Sequence, residues 1–245
     1  TAIGYAALSA NTTATSNVAV GNSALLVNTS AALNVALGTE AGSGVTSGGG
    51  NTLIGYQAGV HDVALTTGAN NVVIGVYSNT SAVDSAKAIV IGYNVTGESD
   101  YTTIGSSAGE SRLAHGGTSW ATVSDERVKK DIKDSTVGLS FINDLRPRTF
   151  NYRNKGDIPE EFKGYEENST EVYKSEKSQH GFIAQEVKEV IDNHTDIVDG
   201  FKLWDVRETG QQEVAEAALI PMLTKAVQEL SAKVEELEDK LNNKE

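Results

Sequence analysis

A four-residue phrase, three aliphatic or Thr residues closed by glycine, recurs along the first half of this chain. It reads Thr1-Ala2-Ile3-Gly4, Val18-Ala19-Val20-Gly21, Val35-Ala36-Leu37-Gly38 and Thr52-Leu53-Ile54-Gly55, then Val72-Val73-Ile74-Gly75, Ile89-Val90-Ile91-Gly92 and Thr102-Thr103-Ile104-Gly105. Subtracting successive glycine numbers gives spacings of 17, 17, 17, 20, 17 and 13. Asn17, Asn34, Asn51 and Asn71 stand directly before four of the phrases. A fixed period of this length marks a solenoid. Each phrase is a β-branched-rich strand too short to persist alone. Stacking one phrase on the next pairs the backbones and buries the central aliphatic residue in a continuous column. Glycine after the strand allows a bend that a Cβ would obstruct. The stretch Ser43 to Gly50 fits a turn, and the only charges from Thr1 to Gly109 are Glu40, Asp62, Asp84, Lys87, Glu98 and Asp100. A disordered Gly/Ser/Asn linker would not hold Ile, Val and Leu at fixed offsets.

These phrases resemble the head repeats of trimeric autotransporter adhesins and similar segments of phage tail fibres. One thin coil buries little surface, so three wound together are expected. Sparse aromatics and 24 glycines suit a core of small aliphatic side chains in layers.

The formal net charge of −13 argues against nucleic acid as a partner, because a phosphate-binding surface needs clustered Lys and Arg. With no cysteine there are no disulfides or thiolate metal sites. His61, His115, His180 and His194 share no metal-ligand spacing, so neither a metal nor another cofactor is expected. No apolar run reaches the roughly 18 residues of a membrane helix, and no membrane insertion is expected. A chain that opens at Thr1, inside a repeat, is expected to be a piece of a longer protein.

Composition changes after Gly117. Ser119 to Tyr152 brings charge, aromatics and Pro147, and reads as the start of a globular domain. Three phrases follow in order: Ser124-Asp125-Glu126-Arg127-Val128-Lys129 with Ile132, Leu145-Arg146-Pro147 with Phe150 and Tyr152, and Gly181-Phe182-Ile183-Ala184-Gln185-Glu186-Val187. Together, over roughly residues 119 to 241, they resemble the intramolecular chaperone domain of the endosialidase peptidase family, which ends phage tailspikes and tail fibres. The resemblance implies autoproteolysis by a Ser-Lys dyad. Ser124 would be the nucleophile, Lys129 its general base, and Ser124–Asp125 the scissile bond.

A serine hydroxyl needs a neighbouring base, and lysine serves as one only where burial or a nearby cation leaves it neutral. Arg127 and Lys130 are candidates for that cation. Five residues apart, Ser124 and Lys129 fall on different faces of a helix and apart on a strand. They must meet through a bend or between two copies of the chain. The competing reading of Ser124 is a helix N-cap ahead of Asp125 and Glu126; Arg127 at the third position rules out a capping box.

Gln185 and Glu186 open an amphipathic helix expected to run to about Asn193, with Ile183, Val187 and Val190 or Ile191 inward. His180 reads as a structural residue. The polar stretch from Asn154 to Gln179 is either a solvated excursion or, by the resemblance, an arm that holds the fibre during folding. From Ile220 a heptad is occupied at a by Ile220, Val227, Val234 and Leu241 and at d by Leu223, Leu230 and Leu237. Lys233 at g can pair with Glu238 at e, and Pro221 suits the first turn. β-branched a with Leu at d leans towards two strands, whereas the resemblance and the solenoid lean towards three.

The expected architecture is a mainly β N-terminal half of trimeric β-solenoid repeats and an α+β C-terminal chaperone domain ending in a trimeric coiled coil. The expected boundaries are 1–109 for the shaft, 110–123 for a linker to the cleavage site, 124–218 for the chaperone and autoprotease, and 219–245 for the coiled coil. The expected role is a phage tail fibre or spike segment, a homotrimer in the virion that meets a bacterial surface receptor, folded and cut in the host cytoplasm. The alternatives are a non-proteolytic trimeric adhesin and a glycan-degrading enzyme. The latter needs paired carboxylates, and Glu40, Asp62, Asp84, Glu98 and Asp100 show no persuasive pairing.

Overall fold

The computed structural model describes residues 1–197 and 201–243; the last two residues of the expected coiled-coil segment lie outside these. The chain divides into two units, Thr1–Lys130 and Asp131–Glu245.

In the first unit the repeated phrases form β1 (Ala2–Ile3), β2 (Val18–Val20), β3 (Val35–Leu37), β4 (Thr52–Ile54), β5 (Val72–Ile74), β7 (Ile89–Tyr93) and β9 (Tyr101–Ser106). They pair in parallel and in register, Ala19 on Ala36, Ala36 on Leu53, Leu53 on Val73 and Val73 on Val90. A smaller parallel pair, β6 (Asn79–Thr80) and β8 (Thr96–Gly97), stacks between later turns. Strand side chains alternate, so from the second phrase on the middle residue faces inward, while Ala2 on the terminal turn is exposed. Ala19, Ala36, Leu53, Val73 and Val90 are fully buried. The first and third positions face outward, leaving Ile3, Val18, Val35, Leu37, Ile74, Ile91 and Ile104 exposed.

The glycine column is dictated by the stacking. Gly21 sits at φ +138° and a Cβ there would lie 2.3 Å from the Gly38 carbonyl oxygen. Gly38, at φ +136°, meets the Gly55 oxygen in the same way at 2.5 Å.

Within residues 110–123, expected as a linker, two stretches join the sheet. β10 (Gly109–Ala114) folds back antiparallel on β9, and β11 (Ala121–Thr122) pairs with β10. Antiparallel strands laid on the last parallel turn cover an edge whose N–H and C=O groups would otherwise be open.

The second unit contains α1 (Leu139–Asp144), β12 (Arg148–Phe150), β13 (Gln179–Gly181), α2 (Ala184–Asn193), β14 (Trp204–Val206), β15 (Gln212–Val214) and α3 (Ile220–Asn242). β12 pairs with β13, and β14 with β15, both antiparallel. Val137, Phe141, Leu145, Val187, Leu203 and Leu219 make its core, with Ile142, Phe182, Val190 and Ile191 against it. α2 thus turns Val187, Val190 and Ile191 inward, whereas Ile183, expected with them, is the extended residue before the helix and is not part of this core. The N-terminus of α1 follows Gly138, which offers no capping side chain, and Glu229 of α3 supplies one instead by accepting from the Leu139 N–H at 2.9 Å.

α3 carries Pro221 in its first turn, as expected. One side packs through Leu219, Met222 and Ala226, while the heptad seam from Ile220 through Leu223, Val227, Leu230, Val234 and Leu237 to Leu241 is exposed. The stretch from Asn154 to Gln179 is not a free excursion. It closes on Lys155, whose ammonium donates to Glu166 at 2.9 Å and Glu171 at 2.7 Å, and a bridge joins Asn154 to Val172.

Candidate active site

β11 leads through Val123 and Ser124 into a single 3₁₀ turn, Glu126–Val128. The turn starts because Asp125 is extended (φ −67°, ψ 136°) and its Oδ1 accepts from the Arg127 N–H at 2.9 Å. Asp125, and not Ser124, is therefore the cap. The turn closes when the Lys129 N–H donates to the Glu126 carbonyl at 2.9 Å. Reversing the chain over so short a distance brings Lys129 back, and its Nζ donates to Ser124 Oγ at 2.6 Å. The two side chains that helix and strand geometry would separate meet within one chain.

Arg127, a candidate cation for Lys129, is engaged elsewhere. Its Nε and Nη2 donate to the two oxygens of Asp125 at 2.8 and 2.6 Å. Those hydrogen bonds hold the Asp125 carboxyl below the usual carboxylate range, and Asp125 in turn raises the guanidinium. The electrostatic role expected for Arg127 is thus offset by its own partner. The whole segment is open to solvent, and apolar neighbours flank the pair: Val123 is 68% exposed, Val128 70% and Trp120 51%.

The second and third sequence phrases are joined in the other unit. Arg148 on β12 donates to both carboxylate oxygens of Glu186 on α2, at 2.9 and 2.6 Å, and Arg146 stands 3.6 Å from the same group. Glu186 is held below its usual range, mainly by the Arg148 hydrogen bonds. His180 is exposed on β13 opposite Thr149. Within the second unit, Phe150, Tyr152, Phe162, Tyr173 and Arg207 line a cleft of about 730 Å³.

Residues 124–196 match the family model Peptidase_S74, described as chaperone of endosialidase. This segment is similar to the endosialidase-chaperone family. The match opens on Ser124 and spans all three phrases, so the matched segment begins on the candidate dyad and runs into the second unit. The family carries the name of a peptidase and the description of a chaperone. No curated protein and no solved structure matches the chain.

Among the described residues, no group of three or more His, Cys, Asp or Glu converges as a metal site. The shaft carboxylates are engaged singly, Glu40 by Gln57 at 2.6 Å and Glu98 by Arg112 at 2.9 Å. No helix among the described residues is long and apolar enough to cross a membrane. Sequence reasoning missed the clamp of Asp125 by Arg127 and the Glu229 cap. The Asp-x-Arg spacing directly after Ser124 was a signal for the first; the second joins residues 90 apart and leaves no local trace.

Proposed function

We propose that this chain is a segment of a phage tail fibre or spike whose C-terminal chaperone aligns three copies and then releases itself by one cut beside Ser124. The observation that carries this reading is the 2.6 Å contact between Lys129 Nζ and Ser124 Oγ at the first residue of the chaperone segment. Ser124 is the nucleophile and Lys129 the base. The ammonium donates to the hydroxyl, whereas catalysis needs the neutral amine to accept its proton. Burial drives lysine to that form. Packing of copies over Val123, Val128 and Trp120 would supply it, so that cutting waits for assembly.

Two exposed apolar surfaces support association with further copies. The outward sheet face of the shaft is a column of exposed Val, Leu and Ile, and α3 leaves a full a/d seam uncovered. Exposed apolar surface of that extent calls for a partner. Identical repeats can pair in many registers, and a C-terminal seam that aligns first removes the ambiguity. The fibre would serve in the virion against a bacterial surface receptor, with folding and cutting in the host cytoplasm.

For a cut at Ser124–Asp125, attack by Ser124 on its own carbonyl would close a strained four-membered ring. The hydroxyl of a second copy therefore attacks that carbonyl. Lys129 takes the hydroxyl proton and returns it to the departing Asp125 nitrogen, and water then hydrolyses the Ser124 ester. Denaturing gels of the parent beside Ser124→Ala and Lys129→Ala test the reading. A split parent with both variants intact supports it; an intact parent, or variants that still split, refutes it. A non-proteolytic trimeric adhesin would give trimers and no cut.

A further inference from the structure

Something must hold Lys129 against Ser124 on a stretch with no buried residue. The only regular structure between them is the single turn Glu126–Val128, and none of its residues is buried. A lone turn is unfavourable in water, since several dihedrals are fixed for very few hydrogen bonds. What distinguishes this turn is its side-chain closure. One carboxylate, Asp125, accepts three bonds from one residue, the Arg127 backbone N–H at 2.9 Å, Nε at 2.8 Å and Nη2 at 2.6 Å. It caps the turn and receives the guanidinium fork together. Arg127, paired in this way, is spent as a cation and gained as a brace.

We propose that Asp125 and Arg127 are positioning residues, a clamp that closes the turn and so sets Lys129 Nζ against Ser124 Oγ. The proposal rests on the Ser124–Lys129 reading. It differs from the view in which Arg127 acts through its charge on the Lys129 amine. It differs also from one in which Asp125 matters only as the residue following the cut. An exposed ion pair contributes little to the stability of a whole protein. The clamp's effect should therefore appear in the rate of cutting and not in assembly.

The test follows self-cleavage of the full chain by pulse-labelled in vitro translation, from neutral to alkaline pH. Parent, Ser124→Ala, Lys129→Ala, Asp125→Ala, Arg127→Ala and the Asp125→Ala/Arg127→Ala pair are compared, with oligomer mass measured for each. Asp125→Ala and Arg127→Ala should each slow cutting roughly fivefold to tenfold, the size of a lost cap. The double variant should be no slower than Asp125→Ala, as expected for two halves of one interaction. Oligomer mass and the pH at which the rate rises should match the parent. Parental speed in either single variant would overturn the clamp, as would a rise shifted to higher pH in Arg127→Ala or a changed oligomer mass. An uncut parent would bring down the dyad and the clamp together. A cut parent with Ser124→Ala and Lys129→Ala silent, but Asp125→Ala at full speed, would bring down the clamp alone.

Discussion

The backbone N–H of Asn34 donates to the side-chain oxygen of Asn17 at 2.8 Å, one turn of the solenoid away. Asn51 does the same to Asn34, Asn71 to Asn51, and Ala88 closes the series on Asn71. Each side-chain nitrogen donates to a backbone carbonyl in turn, Asn34 to Gly48 at 3.0 Å. The four residues are buried, and the ladder satisfies backbone groups that the bend before each strand would leave unpaired.

Asn34→Ala removes the acceptor for the Asn51 N–H and the donor for the Gly48 carbonyl, both inside the shaft. At about 1–3 kcal/mol for each buried group left unpaired, the variant should lose about 2–6 kcal/mol. Urea denaturation in a Ser124→Ala background, at fixed protein concentration, measures it. An unchanged midpoint would show that the ladder is not a stabilising element.

Asn28 is the opposite case. It is fully buried, and neither its Nδ2 nor its Oδ1 has a protein hydrogen-bond partner. Val45 and Leu65 occupy the corresponding positions of the next two turns, both fully buried. Asn28→Val should therefore stabilise the shaft by about 1–3 kcal/mol. A lower melting midpoint would contradict this.

Leu33 holds a left-handed backbone, φ +64°, with its side chain 67% exposed. Gly50 and Asn70 occupy the same position of later turns at φ +73° and +60°. Leucine is strained there by about 1 kcal/mol or more and asparagine is better suited. Leu33→Asn should raise stability by about 0.5–1 kcal/mol. A loss in the same urea titration would mean that another copy covers the leucine.

The ion pair of Glu186 with Arg148 carries a pH signature. The Glu186 carboxyl is lowered on folding, so its contribution is complete above the ordinary glutamate value, about 4.3. It is lost as pH falls through the lowered folded value. Glu186→Gln should destabilise the chaperone unit at neutral pH, and the gap from the parent should close in acid. A gap that stays constant with pH would assign the loss to packing.

Much of this organisation was legible in the sequence. The phrases recur at a fixed period, so the strands, their register and the inward middle residues followed from stacking alone. The α3 seam and the Val187 face of α2 followed from helical spacing. The roles of the individual polar residues were not legible. Asn17, Asn34, Asn51 and Asn71 were visible as a pattern, but their bonds cross 17 or 20 residues to a neighbouring turn. At the candidate site, spacing alone set Ser124 and Lys129 apart, because neither helix nor strand describes a capped 3₁₀ turn. Arg127 looked like a free charge because nothing in the composition says which carboxylate it will meet.

Intact-mass spectrometry of the purified parent chain, with Ser124→Ala beside it, decides whether the chain cuts itself at Ser124. Self-cutting predicts a C-terminal fragment whose first residue is Asp125, and a Ser124→Ala chain that keeps its full mass. A fragment beginning at Ser124 would replace attack between copies by attack of Ser124 on the Val123 carbonyl of its own chain. A parent that retains the whole 25.9 kDa would contradict self-cleavage altogether.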